Sequence, residues 1–568
     1  MQVCWYFPIR PKLRKLLSLP QFRKHLCYEQ RRPRNDLYVT DVQDAARWHR
    51  VMGPFGPSLR RIALQFCVDG IPAFVSGSVS IKPAEFMILS LPPKMRSKAR
   101  NMLLCMLLPD SLKGPQQRKY YDWAATYEMN DLHTRGVGGV RVIVYGTSLD
   151  SPGRAELMQI QSATAYYNCP YCYICNAPGI RSKPVYGGFR RFLGSQDPWR
   201  QRSFIFRGQR YMFDQLERLP PPPSRSGNLA RACVEMATPR CPFRGHKSIP
   251  LLAKWKAFDW EMGVCESMHD IKNVCVMTLK ILVGQGGEGF YATWAKLRKD
   301  EEHRMFCRVH DVFPEVHDER NPLPWRLSRE SVDMLNTRVN NIFWPHYMDV
   351  LCVGSRSFWK APSACWKSRN KSMIYLVILP TCLRDCVTAV HQALLMVIYA
   401  LRRLDGQCVS ETEAIKLGVL PGSRLLDKRS LGRIHKDLIR GLVLLEGSLP
   451  ACHLNPLLHR FVHYAPWTAK FGCLSWFAMY AFERYNKKIK SVTRNRSLPL
   501  ESIANNMQIE ISTRFLELAE ETCDLNDDGV TSRLVGKPAV HVYVFNFLYV
   551  VLLRAANAIS AYCQIEPA

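Results

Sequence analysis

The sequence predicts an α/β protein: a mixed-sheet core interrupted by a large, mostly helical insertion and fastened by a Cys-x-x-Cys knuckle. Three observations predict it. Residues 61–69 and 140–149 are apolar runs that each close on an aspartate, Asp69 and Asp150, as strands of an α/β sheet do when they deliver side chains to its edge. Residues 246–450 carry helical periodicity in three stretches, 264–282, 387–401 and 431–445. On either side of that insertion stand Cys169 and Cys172, and His459 and His463, each pair half of a tetrahedral zinc site.

At 568 residues the chain is too long for one simple core. The order predicted is a basic segment (1–55), a first core part with the knuckle (56–180), an Arg/aromatic and Pro-rich linker (181–245), the helical insertion (246–450), a second core part (451–515) and an extension (516–568). Hydrophobic residues at 47% and charged residues at 22% place it with globular chains and not with disordered ones. Lys and Arg number 78 against 48 acids, a formal charge of +30, and this excess calls for a polyanion, with DNA the expected partner; a basic protein that binds none is the plainer reading. The 21 cysteines, without a secretory signal, read as reduced thiols plus a metal site in an intracellular protein. The apolar runs 373–379 and 540–553 are too short to span a bilayer comfortably, so no membrane association is expected. No P-loop, dinucleotide fingerprint or internal repeat is present, so no nucleotide cofactor is expected.

The elements follow in order. Residues 10–34 hold nine basic residues and one acid, which suits either a DNA-backbone contact or a solvated helix face. Residues 61–69 alternate Ile62, Leu64, Phe66 and Val68 on one face, a half-buried strand that leaves Asp69 at its end. Residues 86–91 predict a neighbouring strand, and 94–108 a helix with Met102, Leu103, Met106 and Leu107 on one side. Asp150 ends the next strand, and a short helix over 155–167 leads to the knuckle, where Cys175 is left out because four ligands are already present. Alone, that knuckle reads equally as a small zinc ribbon or as buried thiols. Residues 189–211 mix six arginines, among them Arg190, Arg191, Arg200 and Arg202, with six aromatics, a composition for phosphate contact and base stacking or for a loop packed on the core by its rings. Residues 484–496, with Lys487, Lys488, Lys490 and Arg494, hold six basic residues and no acid.

A zinc joining the two pairs draws together the acids beside them. Asp150 lies 19 residues before Cys169, and Glu483 lies 20 residues after His463 on a helix whose polar face is nearly all cationic. Asp69, Asp150 and Glu483 would then hold two Mg²⁺ or Mn²⁺ ions, as hard carboxylate oxygens can, for phosphodiester displacement, while zinc stays structural. Glu266, in Glu266-Ser-Met-His269, is the reserve third carboxylate, although Met268 and His269 read as part of a packed helix. Taken singly, either aspartate reads as a turn or cap residue.

Several blocks carry a resemblance: LQFCVDGIPAF (64–74), VIVYGTSLDSPGRAELM (142–158) with CPYC, GHKSIPLL with FDWEMGVCESMHDIKN (245–273), and NPLLHRFVHY with FAMYAFERYNKKIK (455–490). In that order they resemble CACTA-type (En/Spm) transposases, the first blocks the Tnp2 transposase domain and the last the domain that usually follows it, over roughly residues 5–510. The resemblance implies an RNase H-like fold of the DDE kind, similar in plan to the V(D)J recombinase core. It places Asp69, Asp150 and Glu483 on the acidic triad and Cys169, Cys172, His459 and His463 on the zinc ligands. It also implies cut-and-paste recombination in the nucleus by multimers on paired element ends. Two departures accompany it: the chain opens at CWYFPIRPKL, a stretch internal in relatives, so a copy lacking its amino-terminal DNA-binding region, truncated or inactive, is expected; and Glu266 and Ser151-Pro-Gly replace more usual residues. A transposon-derived DNA- or chromatin-binding protein without catalysis, and a host nuclease of the same fold, are the alternatives.

Overall fold

The computed structural model describes residues 4–523, leaving aside 176–185, 213–220, 283–326, 341–378, 380–388 and several shorter stretches. Strands β1 (Trp5–Tyr6), β2 (Tyr38–Val39), β3 (Arg61–Val68), β4 (Ile71–Pro72), β5 (Ser80–Ile88), β6 (Met102–Pro109) and β7 (Arg141–Thr147) precede the knuckle. Six of them form a mixed sheet in the order β1-β6-β5-β3-β7, with β4 pairing β5. The pairs β1/β6, β6/β5 and β5/β3 are antiparallel, whereas β7 lies parallel to β3. The α/β class with a mixed sheet is therefore as the sequence predicts.

Because β3 and β7 are parallel, their carboxyl ends, which carry Asp69 and Asp150, emerge at the same edge. A bulge between Leu64 and Gln65 shifts the register: Leu64 pairs with Val144, but Gln65 pairs with Gly146 and Phe66 with Thr147. Continued three residues onward, this register brings Asp69 level with Asp150. Without the extra residue at Tyr145, Asp150 would lie one step further along and its side chain would leave from the other face.

Both faces of the sheet are covered, so β3 is buried along nearly its whole length and not half-buried as its alternation predicts. Ile62, Leu64, Phe66 and Val68 pack with Leu13 and Leu16 of the Ile9–Ser18 helix, Tyr121 and Trp255. Ala63, Cys67 and Tyr145 on the other face join a cluster that extends without a break into the helices of the insertion, Ser267–Leu282, Ala389–Leu404 and Leu431–Ser448. The last two pack tightly at Gly441, where a Cβ would meet Val397 Cγ2 at 2.9 Å and Met396 Cβ at 3.1 Å.

Two local expectations are corrected. Residues 102–109 form a strand, β6, and not a helix; Met102-Leu-Leu-Cys-Met-Leu-Leu is apolar throughout because both faces of that strand are covered, and such a run fits a helix pattern equally well. The helix expected over 155–167 starts earlier, at Ser151, and ends at Leu157, because Asp150 caps it. Further along, β8 (Ser203–Phe206) and β9 (Gln209–Met212) form a hairpin, and β10 (Gln407–Cys408) and β11 (Arg424–Asp427) complete a three-stranded sheet with β2.

In the basic amino-terminal segment, Arg14, Lys15, Arg23, Lys24 and Arg31 are exposed, while Arg10, paired with Asp131, and two buried cations serve the fold. Lys12 donates to the Leu104 carbonyl, and Arg32 pairs with Asp44 inside the protein. No helix among the described residues is long and apolar enough to cross a membrane. The apolar run 540–553, residues 373–378 of the run 373–379, and residues 387 and 388 of the helix expected from 387 lie outside the described residues. The described cysteines are free thiols.

Candidate functional site

The residues 294 positions apart at Cys169 and His463 meet: Cys169 Sγ lies 3.4 Å from His463 Nε2. Cys172 Sγ lies 3.3 Å from His459 Nε2, and the two histidine Nε2 atoms are 3.3 Å apart. All four ligand atoms fall within 4.8 Å of one another, a compactness that no other Cys, His, Asp or Glu group among the described residues matches. A tetrahedral zinc with bonds of about 2.0–2.1 Å to nitrogen and 2.3 Å to sulfur needs edges of roughly 3.3 Å between nitrogens and 3.5 Å between sulfur and nitrogen. The observed spacings match, and two thiols with two imidazoles are a zinc donor set. The quartet is thus compatible with zinc, and Cys175, exposed, is outside it.

The surroundings hold the ligands in place. Asn455 caps the Pro456–Arg460 helix through the Leu457 and Leu458 amides, which sets His459 on its last turn. Tyr186 and Phe192 wall the His459 ring, and Tyr171 and Phe192 wall that of His463. Burial lowers the pKa of His459 and keeps its ring neutral, the form that donates to a metal. Arg225, 4% exposed, shapes the thiol loop from below by donating to the carbonyls of Cys169 (2.5 Å), Cys172 (3.2 Å) and Tyr167 (2.7 Å).

The second cluster is acidic. Asp150 uses Oδ1 to cap its helix at the Gly153 amide, 2.7 Å away, so it fills a structural role while standing beside Asp69. Asp69 receives the Asn486 amide at 3.5 Å, at the outer limit of a hydrogen bond. Burial first, then the charges of Asp150 and Glu483, push the Asp69 carboxyl up to about 6, even though His269 and the Gly70 amide pull the other way. Asp69, Asp150 and Glu483 therefore share one electrostatic neighbourhood, though they do not form so compact a ligand group as the quartet.

Glu483 sits in the first turn of the Tyr480–Ser491 helix, and His269 reaches it from the Ser267–Leu282 helix, Nε2 to Oε1 at 3.4 Å. His269 Nδ1 meets Glu266 Oε2 at 2.9 Å. Burial alone would lower the His269 pKa, but the two glutamates outweigh it and raise it to about 10, so the ring stays cationic at neutral pH. That cation, ahead of the opposing effect of burial, holds the Glu483 pKa below the usual carboxylate value.

Glu266, the reserve third carboxylate, is engaged as a cap inside the protein. It is 2% exposed, and its oxygens are taken by the amides of Met268 (2.9 Å), His269 (2.8 Å) and Met479 (3.1 Å) as well as by the His269 ring. It caps one helix and binds the residue just before the helix of Glu483. His269, which the sequence places in a packed helix, has this further part, and its i, i+3 spacing from Glu266 was the available signal.

The expected DNA-contact residues divide. Arg190 is 4% exposed, which removes it from any surface contact. Its loop packs on the core, with the Gly188 and Phe189 amides on Glu446 and Arg440 over the Trp199 ring. Arg191 and Arg200 are half-buried, the latter donating to the Leu193 carbonyl. Lys487 is exposed, Lys490 half-buried, and Lys488 paired with Glu510. Arg202 and Arg494 lie outside the described residues. No protein-family model and no characterised protein matches this chain.

Proposed function

We propose that this chain is the catalytic core of a DDE-type DNA transposase of the CACTA (En/Spm) kind, RNase H-like in fold, that cleaves and joins DNA phosphodiesters. The observation that carries the reading is the electrostatic influence of Asp150 and Glu483 on Asp69, whose carboxyl is pushed up to about 6, first by burial and then by these two acidic neighbours. Like charges that act on one another cost stability, and such groups concentrate where a cation or a reacting group is bound. Three further features support it: the antiparallel strands continued by a parallel β7, the quartet that ties the late helix to the sheet, and the +30 charge suited to DNA.

In this reading Asp69, Asp150 and Glu483 bind Mg²⁺ or Mn²⁺, since carboxylate oxygens suit hard cations. Bound there, the ions supply an activated water or 3′-hydroxyl and charge neutralisation at the phosphate. The chain's own residues do the placing. Asp150 is fixed by its capping bond, and Glu483 is kept ionised and aimed by cationic His269. Glu266 locks the His269 ring and the start of the Glu483 helix into one unit. Exposed Lys487 and Arg484 on that helix offer phosphate contacts. Zinc at the quartet is structural, and a nuclear homo-oligomer on paired DNA ends is the working form, with neither a nucleotide cofactor nor a membrane involved.

The test is Mg²⁺-dependent nicking of DNA followed by joining of the cleaved 3′ end to a target. Nicking abolished by Asp150→Asn supports the reading. DNA binding without nicking replaces it with a non-catalytic DNA-binding protein, and nicking without joining replaces it with a nuclease.

A further inference from the structure

Two buried arginines link the surroundings of the Cys/His quartet to the residues on either side of Asp150. Arg460 follows His459 directly and is 7% exposed. Its Nη1 pairs with Asp270 Oδ1 at 2.6 Å and also donates to Ser151 Oγ, and Asp270 accepts from the Tyr464 hydroxyl at 3.0 Å. Ser151 is the residue after Asp150, and Asp270 the residue after His269. Arg154, 2% exposed, donates through Nη2 to the Leu149 carbonyl at 3.0 Å and through Nη1 to the Tyr171 hydroxyl. Its guanidinium also lies over the Tyr171 ring, 4.9 Å from the centroid. Tyr171 stands between the two cysteines and packs on His463, ring centroids 5.2 Å apart. The histidine turn thus sends Arg460 to the residue after Asp150, while Arg154, on the helix that Asp150 caps, reaches back to Tyr171 of the thiol loop.

Burying a guanidinium is costly, and apolar residues of similar volume would pack such a seam at least as stably. What two fork-shaped cations supply instead is fixed geometry between elements that no strand pairing joins. The Asp150 carboxylate caps the helix that Ser151 begins, so a displacement of Ser151 carries the carboxylate with it. When the quartet holds a metal, the thiol loop and the histidine turn are one body, and Arg460 and the Tyr171 partner of Arg154 are both held at fixed points. When it holds none, those points separate.

We propose that Arg460 and Arg154 are positioning residues that couple metal occupancy of the Cys/His quartet to the placement of Asp150, so that the acidic centre binds divalent cations tightly only while the quartet is filled. The proposal rests on the cation-binding reading of the acids given above. The coupling is reciprocal: a cation at the acids must also tighten zinc binding at the quartet by the same factor.

The test uses the full chain, with Mn²⁺ binding followed by the electron paramagnetic resonance of the free ion and zinc content by metal analysis. In the wild-type protein, stripping zinc is expected to weaken Mn²⁺ binding by about tenfold to a hundredfold, the range for losing the support of a metal ligand. Ser151→Ala leaves the Arg460–Asp270 pair intact, and Arg460→Lys keeps the charge without the fork. Both are expected to retain one zinc, to bind Mn²⁺ about tenfold more weakly when zinc-loaded, and to lose most of the further effect of stripping. Wild-type Mn²⁺ affinity in both zinc-loaded variants, even with a lowered thermal midpoint, overturns the coupling alone. No Mn²⁺ binding to the zinc-loaded wild type overturns the cation-binding reading and the coupling with it.

Discussion

Asp69→Asn should make the metal-free acidic centre more stable, in the opposite direction to most substitutions of a buried hydrogen-bonded residue. The Asp69 carboxyl is pushed from 3.8 in the unfolded chain to about 6 in the fold, first by burial and then by Asp150 and Glu483. A folded-state pKa above the unfolded one favours the protonated acid, so its contribution is fully favourable below the unfolded pKa and is lost as pH rises through the folded one. A gap of about two units, at about 1.4 kcal/mol per unit, makes ionised Asp69 cost up to roughly 3 kcal/mol at pH 7.5 and about half of that at pH 5. The asparagine carries no charge and keeps the shape. In zinc-loaded protein free of Mg²⁺, denaturant unfolding should therefore show the variant more stable than wild type by up to about 3 kcal/mol at pH 7.5, with the gap narrowing by about half at pH 5. Added Mg²⁺ should stabilise the wild type and not the variant. A variant destabilised equally at both pH values would refute the claim that the acids repel one another in the fold.

Other consequences are as direct. The His269 ring, raised to about 10 by its two glutamates, should remain protonated at pH 8 in histidine NMR titrations, while His246, lowered to about 3 by burial, remains neutral down to pH 5. His269→Gln should let the Glu483 pKa rise, and the stabilising contribution of the His269 cation, full below pH 6.5, should decline as pH rises from there and be gone above about 10. Cobalt in place of zinc should give the visible spectrum of a tetrahedral site with two thiolates, lost in Cys172→Ser, which should also destabilise the fold by several kcal/mol. Gly153→Ala would put a Cβ 2.8 Å from Asp150 Oδ1 and 3.4 Å from the Val68 carbonyl. It should weaken the cap by about 1 kcal/mol and lower divalent-cation affinity, read by unfolding and by Mn²⁺ binding. Lys487→Ala should reduce the salt dependence of DNA binding by about one ion in a log–log plot.

The two aspartates and the quartet were legible because each is written in local sequence. Asp69 and Asp150 end apolar runs of strand length, and Cys-x-x-Cys and His-x3-His have the spacing of metal ligands on a turn and a helix. What joins them was not legible, because partners far apart in the chain leave no local trace. Nothing near Arg460 announces Asp270 or Ser151, and nothing near Arg154 announces Tyr171. Strand β6 was misread for a physical reason: an all-apolar run satisfies helix and buried-strand patterns together, and only the covering of both faces decides. Glu266 and His269 were visible as a pair, but their roles are divided by a backbone amide at Met479, more than two hundred residues away. Arg190 looked like a phosphate contact by composition, whereas its loop is held down by Glu446 and its neighbours' rings.

The most direct measurement is anomalous diffraction from crystals of the full chain soaked in Mn²⁺, collected at the zinc and manganese edges. The account predicts one zinc peak enclosed by Cys169, Cys172, His459 and His463, and manganese bounded by Asp69, Asp150 and Glu483. Manganese bound elsewhere, with those three carboxylates empty, would contradict it.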